Sequence, residues 1–409
     1  MVFKIYAREF LDSRGNPTIA AYAASHTNIT RAIIPSGVST GSKEDKELRD
    51  KGSGFQRKHV KTAVDNINRK IAPKISEELA LNQDALDFSL IKLDGTHDKS
   101  NLGANAILAV SLACAKYAAA KQGKWLYSYF AQQAKTKPTW AIPYANVING
   151  GMHSGNGLAI QEFMIAPTRA KTQEEAIFTI AETYHELKSV IAKKHGSEQT
   201  SVGDEGGFAP KVKNTQAALD LIEKAIENCG FEKTTKIAID CAATSFYQPK
   251  KKVYSIDGKN LSKEKLIQYY SDILGEYPIV SIEDPFSEND FESFAKLTTL
   301  FGVKLQIVTD DLTVSQPMRV ARAISHKSGN ALLLKLNQVG TVTEGLDSAK
   351  LAMKSGWNVM ASHRSGDNED TWLADLAVGL GCKQIKTGAP CRSERTAKYN
   401  RLLEIAHHL

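Results

Sequence analysis

The chain has 409 residues, 42% hydrophobic and 24% charged. This is an ordinary globular composition that excludes a disordered tail protein and leaves room for two or three domains. The net charge of +7 comes from 52 basic and 45 acidic residues with no Lys/Arg block of five or more, so nucleic acid is only weakly indicated and a small anionic substrate fits equally well. Five cysteines with no C-x-x-C pair speak against a disulfide framework or thiolate zinc site, and for a reducing, cytoplasmic setting.

The first residues, MVFKIYAREFLDSRGNP, carry charges and no apolar signal region. They read as short strands around a turn at Ser13–Pro17. A Gly/Ser/Thr loop, P-S-G-V-S-T-G, follows from Pro35 to Gly41. Residues 56–133 read as mainly helical, including an alanine-rich stretch from Leu102 to Ala120. With Asn105 and Lys116 inside it, that stretch is expected to be a buried helix and not a membrane span. Strands followed by helices predict a smaller α+β domain over residues 1–133. The polar stretch 134–138 marks the boundary to a second domain, 134–409.

In that second part, short runs rich in Ile and Val alternate with helical segments: KIAIDC, YPIVSIED, KLQIVTDD, ALLLKLNQ, WNVMASHR and KQIKTGA. They read as buried parallel strands. Asp240, Glu283, Asp310, Lys335, His363 and Lys386 stand at or near their ends, 43, 27, 25, 28 and 23 residues apart. One strand–helix unit takes roughly 25–30 residues. After the first wider gap, the polar residues therefore recur once per unit. A closed β/α barrel of the TIM type gathers such residues at its carboxyl-terminal mouth. The fold class predicted is α/β, a variant barrel preceded by the smaller domain.

Three acids from three strand ends, Asp240, Glu283 and Asp310, repel one another unless a cation compensates them; oxygen-only ligands favour Mg²⁺ over Zn²⁺. Each acid alone could equally cap a helix or pair with a base. Lys335, within an apolar run, and Lys386 put two ammonium groups near that site. This is expected to depress at least one lysine pKa and supply a general base; a salt-bridged lysine is the simpler reading of either one. Glu205 in V-G-D-E-G-G-F lies between glycines that let its carboxylate approach a ligand, though a plain turn reads the same way. Glu162 is an acid in an apolar strand, costly unless paired or functional. His153 sits in the glycine-rich loop NGGMHSGN. Ser362-His363-Arg364-Ser365 offers a cation and donors for an oxyanion or phosphate, or a structural ion pair. Ser39 and its neighbours form either a lid for an anionic ligand or an irregular turn.

The strings AREFLDSRGNPT, PSGVSTG, LGANAILAVSLA, NGGMHSGN, QEFMIAP, VGDEGGFAP, YPIVSIEDPF, DDLTV, LLLKLNQVGT, SHRSGDNEDT and QIKTGAPCRSER span residues 7–395. On these the chain resembles the enolase family, which is itself the general example of a lysine or histidine base working beside one or two Mg²⁺ ions. The resemblance implies a hydro-lyase of glycolysis that reversibly converts 2-phosphoglycerate to phosphoenolpyruvate. It implies Asp240, Glu283 and Asp310 as ligands of a first Mg²⁺, with Asp310 preferred over Asp311. Ser39 would help bind a second Mg²⁺ that arrives with substrate. Lys335 would be the base at C2 and Glu205, supported by Glu162, the acid at the 3-hydroxyl. His153 would close over the substrate. Arg364 and Ser365, beside Ser362 and His363, would bind the phosphate, and Lys386 would face the substrate carboxylate. It also implies an irregular ββαα start to the barrel and a homo-oligomer, dimer or larger.

Some positions depart from that pattern. Ala20 and Glu404 stand where the family commonly pairs a Glu with an Arg across its dimer interface, and Ser245 replaces a usual acid. Two other readings compete: another metal-dependent proton-abstracting lyase, and a non-catalytic enolase-like structural or surface-binding protein. Retention of every residue named for the chemistry weighs against the second.

Overall fold

The structure, a computed structural model, describes residues 3–37, 40–52 and 54–409. Ser39 lies outside the described residues.

The amino-terminal domain opens with a three-stranded antiparallel meander of β1 (Lys4–Leu11), β2 (Pro17–Ala24) and β3 (Ile29–Ile33). The turn between β1 and β2 falls where it was predicted. Asp12 Oδ1 accepts from the backbone N–H of Arg14 and Asn16 at 2.9 and 2.8 Å, which closes the hairpin. The alanine-rich stretch is the helix Ala104–Lys121, buried along almost its whole length and packed on β2 and β3. Alanine is what permits this, since its short side chain lets a helix lie close to a sheet on one side and to other helices on the rest. No helix among the described residues is long and apolar enough to cross a membrane.

The second domain is a closed eight-stranded barrel. Its strands are β4 (Ile142–Asn149), β5 (Glu162–Ala166) and β6 (Lys236–Asp240), then, after a small ribbon of β7 (Tyr247–Gln248), β8 (Val253–Ile256) and β9 (Lys259–Leu261), β10 (Ile279–Glu283), β11 (Gln306–Thr309), β12 (Ala331–Leu334), β13 (Asn358–Ser362) and β14 (Gln384–Lys386). From β6 through β10 to β14 and back to β4 the neighbours pair parallel, while β4–β5 and β5–β6 pair antiparallel. The irregular start is thus present. The ribbon also explains the wide Asp240–Glu283 spacing, because it is inserted between β6 and β10.

Strand alternation decides what each strand-end residue faces. Tyr144, Met164, Ala166, Ala238, Val308, Ala331, Leu333 and Met360 form a small cluster of their own, the plug inside the barrel. Their intervening neighbours Phe163, Ile165, Ile237, Ile239, Ile307, Leu332, Leu334 and Val359 belong to the main core outside it, under the helices. Stepping by two along the inner file leads from Met164 to Glu162, Ala238 to Asp240, Val308 to Asp310, Leu333 to Lys335 and Met360 to Ser362. Each charged or polar group therefore stands on top of an apolar plug. Below the plug is a neutral polar floor, where Gln306 joins Ser281, Asn358 and Gln384 at 3.2, 2.8 and 2.9 Å.

Buried polar contacts hold the first domain over the barrel. Lys99 bridges Asp45 and Glu344 at 2.6 and 3.0 Å, Lys116 meets Asp370 at 2.5 Å, and Ser36 forms a β-bridge with Gly366. Ala20 is fully buried in the central strand β2, and Glu404 is engaged by Arg401 of its own helix at 2.8 Å. Ser245 is exposed in the turn Ala243–Phe246.

Leu333→Ala, at the centre of the plug, should lower the free energy of unfolding by about 2–5 kcal/mol. A denaturant titration checks this; a change below about 1 kcal/mol would mean that the plug tolerates a void.

Candidate active site

Glu162, Asp240 and Glu283 are register partners on β5, β6 and β10. Their carboxylates end side by side, all buried. The ammonium of Lys386, from the end of β14, lies against all three: 3.1 Å from Glu162, 3.0 Å from Asp240 and 2.9 Å from Glu283. The third acid expected to share a cation with Asp240 and Glu283 is paired with a different lysine. Asp310 meets Lys335 at 2.5 Å and accepts from Gln338 at 2.9 Å. The three acids are thus neighbours at one mouth but divided between two lysines. Lys386, expected to face a substrate carboxylate, faces protein carboxylates.

The lysines correct a second expectation. Burial works against the charge on Lys335, but Asp310 together with Glu283 offsets it and the pKa is raised, not depressed. Lys386 is raised further, with burial again outweighed by Asp240, Glu162 and Glu283. The physical reason is the surplus of acid: Glu162, Glu205, Asp240, Glu283 and Asp310 are five buried carboxylates around two ammonium groups. The surplus shows in the acids as well. Burial pushes Glu162 and Glu283 well above the ordinary carboxylate range, reinforced by Glu205 and Asp240 respectively. Asp310 is also pushed up by burial, yet Lys335 brings it below the usual value, whereas burial and Asp310 lift Asp311 to about 8. Of this adjacent pair, Asp310 carries the charge.

Glu205 is placed by its loop. Gly206 has φ +82, and a Cβ there would come within 2.6 Å of the Cys391 carbonyl, so only glycine lets the loop turn the carboxylate inward. Asn146 donates to Glu205 Oε2 at 3.0 Å, His363 Nε2 lies 3.4 Å from the same oxygen, and His153 Nδ1 lies 3.7 Å from Oε1 and 3.6 Å from Glu162. His153 is already inside the site. Burial pushes Glu205 up, and the net shift is well downward through His363 and His153 in their protonated forms and through the permanent charges of Arg395 and Lys386, the last two being what remains while the rings are neutral. Glu162 and Glu205 are thus driven apart, one holding a proton and the other ionised.

Arg395, wholly buried, sets the neighbouring turn. It donates to His363 Nδ1 at 2.6 Å, to the carbonyls of Arg364 and Ser365 at 2.8 Å each, and to that of Asp204 at 3.1 Å. Arginine has no acceptor, so His363 Nδ1 accepts and the neutral ring carries its proton on Nε2, toward Glu205. Arg364 pairs in bidentate fashion with Glu44 of the first domain. His153, Glu162, Glu205, Asp240, Lys335, Ser362, His363, Arg364, Ser365 and Lys386 line one buried cavity together with Gln161, and its free volume of about 10 Å³ has room for about one water. A larger groove of about 650 Å³ runs along Trp140 and Lys383 at the opposite end of the barrel and carries none of these groups.

The donor set suits a hard divalent cation. It is all oxygen, buried and richer in acid than in base, with Gln161 Oε1 lacking a hydrogen-bond partner beside it. Two compact acidic or mixed clusters also stand here: His153 with Glu162 and Glu205, and Asp284 with Asp310 and Asp311.

Comparison with known proteins agrees with this architecture. The family models described as "Enolase, N-terminal domain" and "Enolase, C-terminal TIM barrel domain" match residues 2–130 and 137–409. The chain belongs to the enolase family. It is 49% identical over 408 residues to the enolase of Thermococcus gammatolerans, covering 99% of this chain and 94% of that one. To the enolase of Thermococcus kodakarensis it is 48% identical over 411 residues, covering 100% and 95%. To enolase 1 of Entamoeba histolytica it is 49% identical over 419 residues, covering 99% and 96%. Enolase-family chemistry uses a divalent metal and a carbon–oxygen lyase reaction, for which this cavity has the acids and lysines.

Four residues of the site escape a reading of strand ends. Asp284 follows Glu283 and its carboxylate accepts from the backbone N–H of Asp310 and Asp311 at 2.9 and 2.7 Å, fixing the turn that aims Asp310. Gln338 and Arg395 come from helices, and Glu44 from the other domain. Asp284, Gln338 and Arg395 lie inside the strings YPIVSIEDPF, LLLKLNQVGT and QIKTGAPCRSER, whereas Glu44 lies in none of them.

His363 is held neutral: burial lowers its pKa well below the usual value near 6.5, against the pull of Glu205. The unfolded imidazole takes a proton below that value and the folded one does not, so this contribution to stability is full above pH ~6.5 and lost as pH falls. His363→Gln, which keeps an acceptor for Arg395 and a donor for Glu205, removes it. The stability advantage of wild type over variant should shrink by about 1 kcal/mol between pH 7.5 and 5.5. Denaturant titrations at the two pH values measure it; a pH-independent difference would mean that His363 titrates alike in the native and unfolded chains, and an advantage that grows toward pH 5.5 would place the proton on His363 in the native state.

Proposed function

We propose that this chain performs the enolase reaction, the reversible dehydration of 2-phospho-D-glycerate to phosphoenolpyruvate, with Lys335 as base at C2 and Glu205 as acid at the 3-hydroxyl. The observation that carries this reading is the single cavity lined by a buried lysine, a histidine-backed carboxylate and an arginine–serine turn at the barrel mouth. A C–H bond beside a carboxylate is broken by a base held close to it, and the charge that forms needs a concentrated positive field.

Asp240, Glu283 and Asp310 would hold Mg²⁺, and Ser39 would help hold a second one with the substrate's phosphate; when bound, the metal supplies the field that stabilises the extra negative charge on the substrate carboxylate. Asp310 has two roles in this scheme. Its carboxylate, with that of Glu283, keeps Lys335 protonated, so engagement of both as ligands leaves Lys335 to burial, Arg364 and Lys386, which favour the neutral amine. Lys386, held charged by three carboxylates, remains a cation for the substrate carboxylate when the acids are shared. Glu205 must gain a proton before it can assist departure of the hydroxyl. Glu162, which holds one, and His153, which lies within 3.7 Å of both acids, provide the source and the route. Arg364, Ser365 and Ser362 would bind the phosphate, and His363 with Arg395 keeps Glu205 in line.

A non-catalytic structural or surface-binding role finds no support, because none of the acids, lysines or histidines of the cavity has been replaced. The five free thiols support a reducing, cytoplasmic compartment. A homo-oligomer is proposed as well, assembled without an Ala20–Glu404 contact.

Stripping divalent metal should abolish the rise in phosphoenolpyruvate absorbance from 2-phosphoglycerate, and Mg²⁺ should restore it; persistence without metal would refute the role given to Asp240, Glu283 and Asp310. Lys335→Ala should stop exchange of the C2 proton with solvent. Glu205→Gln should block net dehydration while leaving some exchange, each with a loss of kcat of about 10²–10⁴-fold. Normal exchange in both variants would show that the base and acid labels are wrong.

A further inference from the structure

We propose that Glu44 is a resident stand-in for the substrate's phosphate. Without ligand it fills the fork of Arg364, an arriving phosphate takes its place, and Glu44 thereby sets how tightly a phosphorylated substrate is held. This rests on the reading of Arg364 as a phosphate-binding group and extends it to a residue of the other domain.

Glu44 Oε2 accepts from Arg364 Nη1 at 3.0 Å and Oε1 from Nη2 at 3.1 Å. This is the parallel two-bond geometry that two phosphate oxygens use. Both side chains are withdrawn from solvent, with exposures of 2% for Arg364 and 9% for Glu44, so water does not weaken the pair. Burial lowers the Arg364 pKa and Glu44 more than restores it. A second anion cannot use the same two N–H groups while Glu44 holds them. Room beside them is short, since Gly37 lies so near that a Cβ there would stand 2.0 Å from Nη2.

The backbone around Glu44 is pinned on both sides. Ser42 N–H donates to Glu288 at 2.8 Å, Asp45 N–H to the Gln338 carbonyl at 3.0 Å and Lys46 N–H to the Asp98 carbonyl at 2.8 Å, and Asp45 meets Lys99 at 2.6 Å. The exchange is therefore a side-chain movement on a fixed loop. It also has a destination. Glu44 borders an interdomain cavity of about 670 Å³ whose wall includes Lys43, Lys46, His97 and Arg319. The same wall carries Asp45, Asp98 and Glu344, so a displaced carboxylate meets a polar surface of mixed charge there instead of an apolar wall.

The test uses the full-length protein and inorganic phosphate as a competitor of 2-phosphoglycerate. Glu44→Gln keeps an acceptor for the Gly41 N–H that Glu44 now binds at 2.9 Å, and removes only the charge. It should lower the inhibition constant of phosphate about tenfold and lower KM with it. Glu44→Asp, still charged, should not tighten phosphate. An unchanged or raised inhibition constant in Glu44→Gln would overturn the proposal, since a residue that merely props the loop weakens binding when it is altered. Arg364→Gln separates this failure from the failure of the parent reading: if phosphate inhibition survives that change, Arg364 is not the phosphate group at all. Should Glu44→Gln not fold, hydrogen exchange of the wild-type Gly41 amide decides. Saturating phosphate should speed it as Glu44 leaves, and unchanged or slower exchange would refute the substitution of one anion for the other.

Discussion

Five buried carboxylates at one barrel mouth, balanced by two lysines, impose the constraint to which the rest of the site answers. Charges of one sign gathered out of water raise each other's proton affinity and cannot persist without compensation. Lys386 supplies it for Glu162, Asp240 and Glu283, and Lys335 for Asp310. A surplus remains. It is visible in the upward shifts of Glu162 and Glu283, and it is the property that makes the site receptive to a divalent cation.

The scaffold exists to hold that unfavourable cluster together. The apolar plug below it keeps water out of the barrel, the parallel register sets Asp240 beside Glu283, and the antiparallel β5 brings Glu162 next to Asp240. Arg395 ties the 363–365 turn to the Glu205 loop, so that the turn proposed to bind phosphate and the carboxylate proposed to deliver a proton share one buried guanidinium. The first domain is part of the same device: Glu44 reaches Arg364, and Lys99 clamps the loop that carries Glu44 to the barrel. The Arg364 pair and the packing of the two domains are thus linked through one charged segment, residues 41–46.

The periodic strand ends made the architecture legible. Period-two alternation and one polar residue per βα unit are local properties, and they placed Asp240, Glu283, Asp310, Lys335, His363 and Lys386 at one mouth without any long-range contact. The wide first spacing was visible, but its cause was not, because the short ribbon Tyr247–Leu261 is polar and weakly patterned. Glu205 was readable from its flanking glycines. Asp284, Gln338 and Glu44 were not, since an ordinary acid or amide in a loop or helix carries no mark of the partner it will meet.

The sequence by itself determined the barrel, the helical first domain and the family, because hydrophobic period, turn residues and ordered motifs are written along the chain. Tertiary structure alone decided how the charges pair: that Lys386 faces three protein carboxylates, that Lys335 is held protonated by Asp310, and that Arg364 is engaged by a residue 320 positions away. Pairing depends on distance, burial and the sum of nearby charge, and these exist only once distant strand ends and the other domain have been brought together.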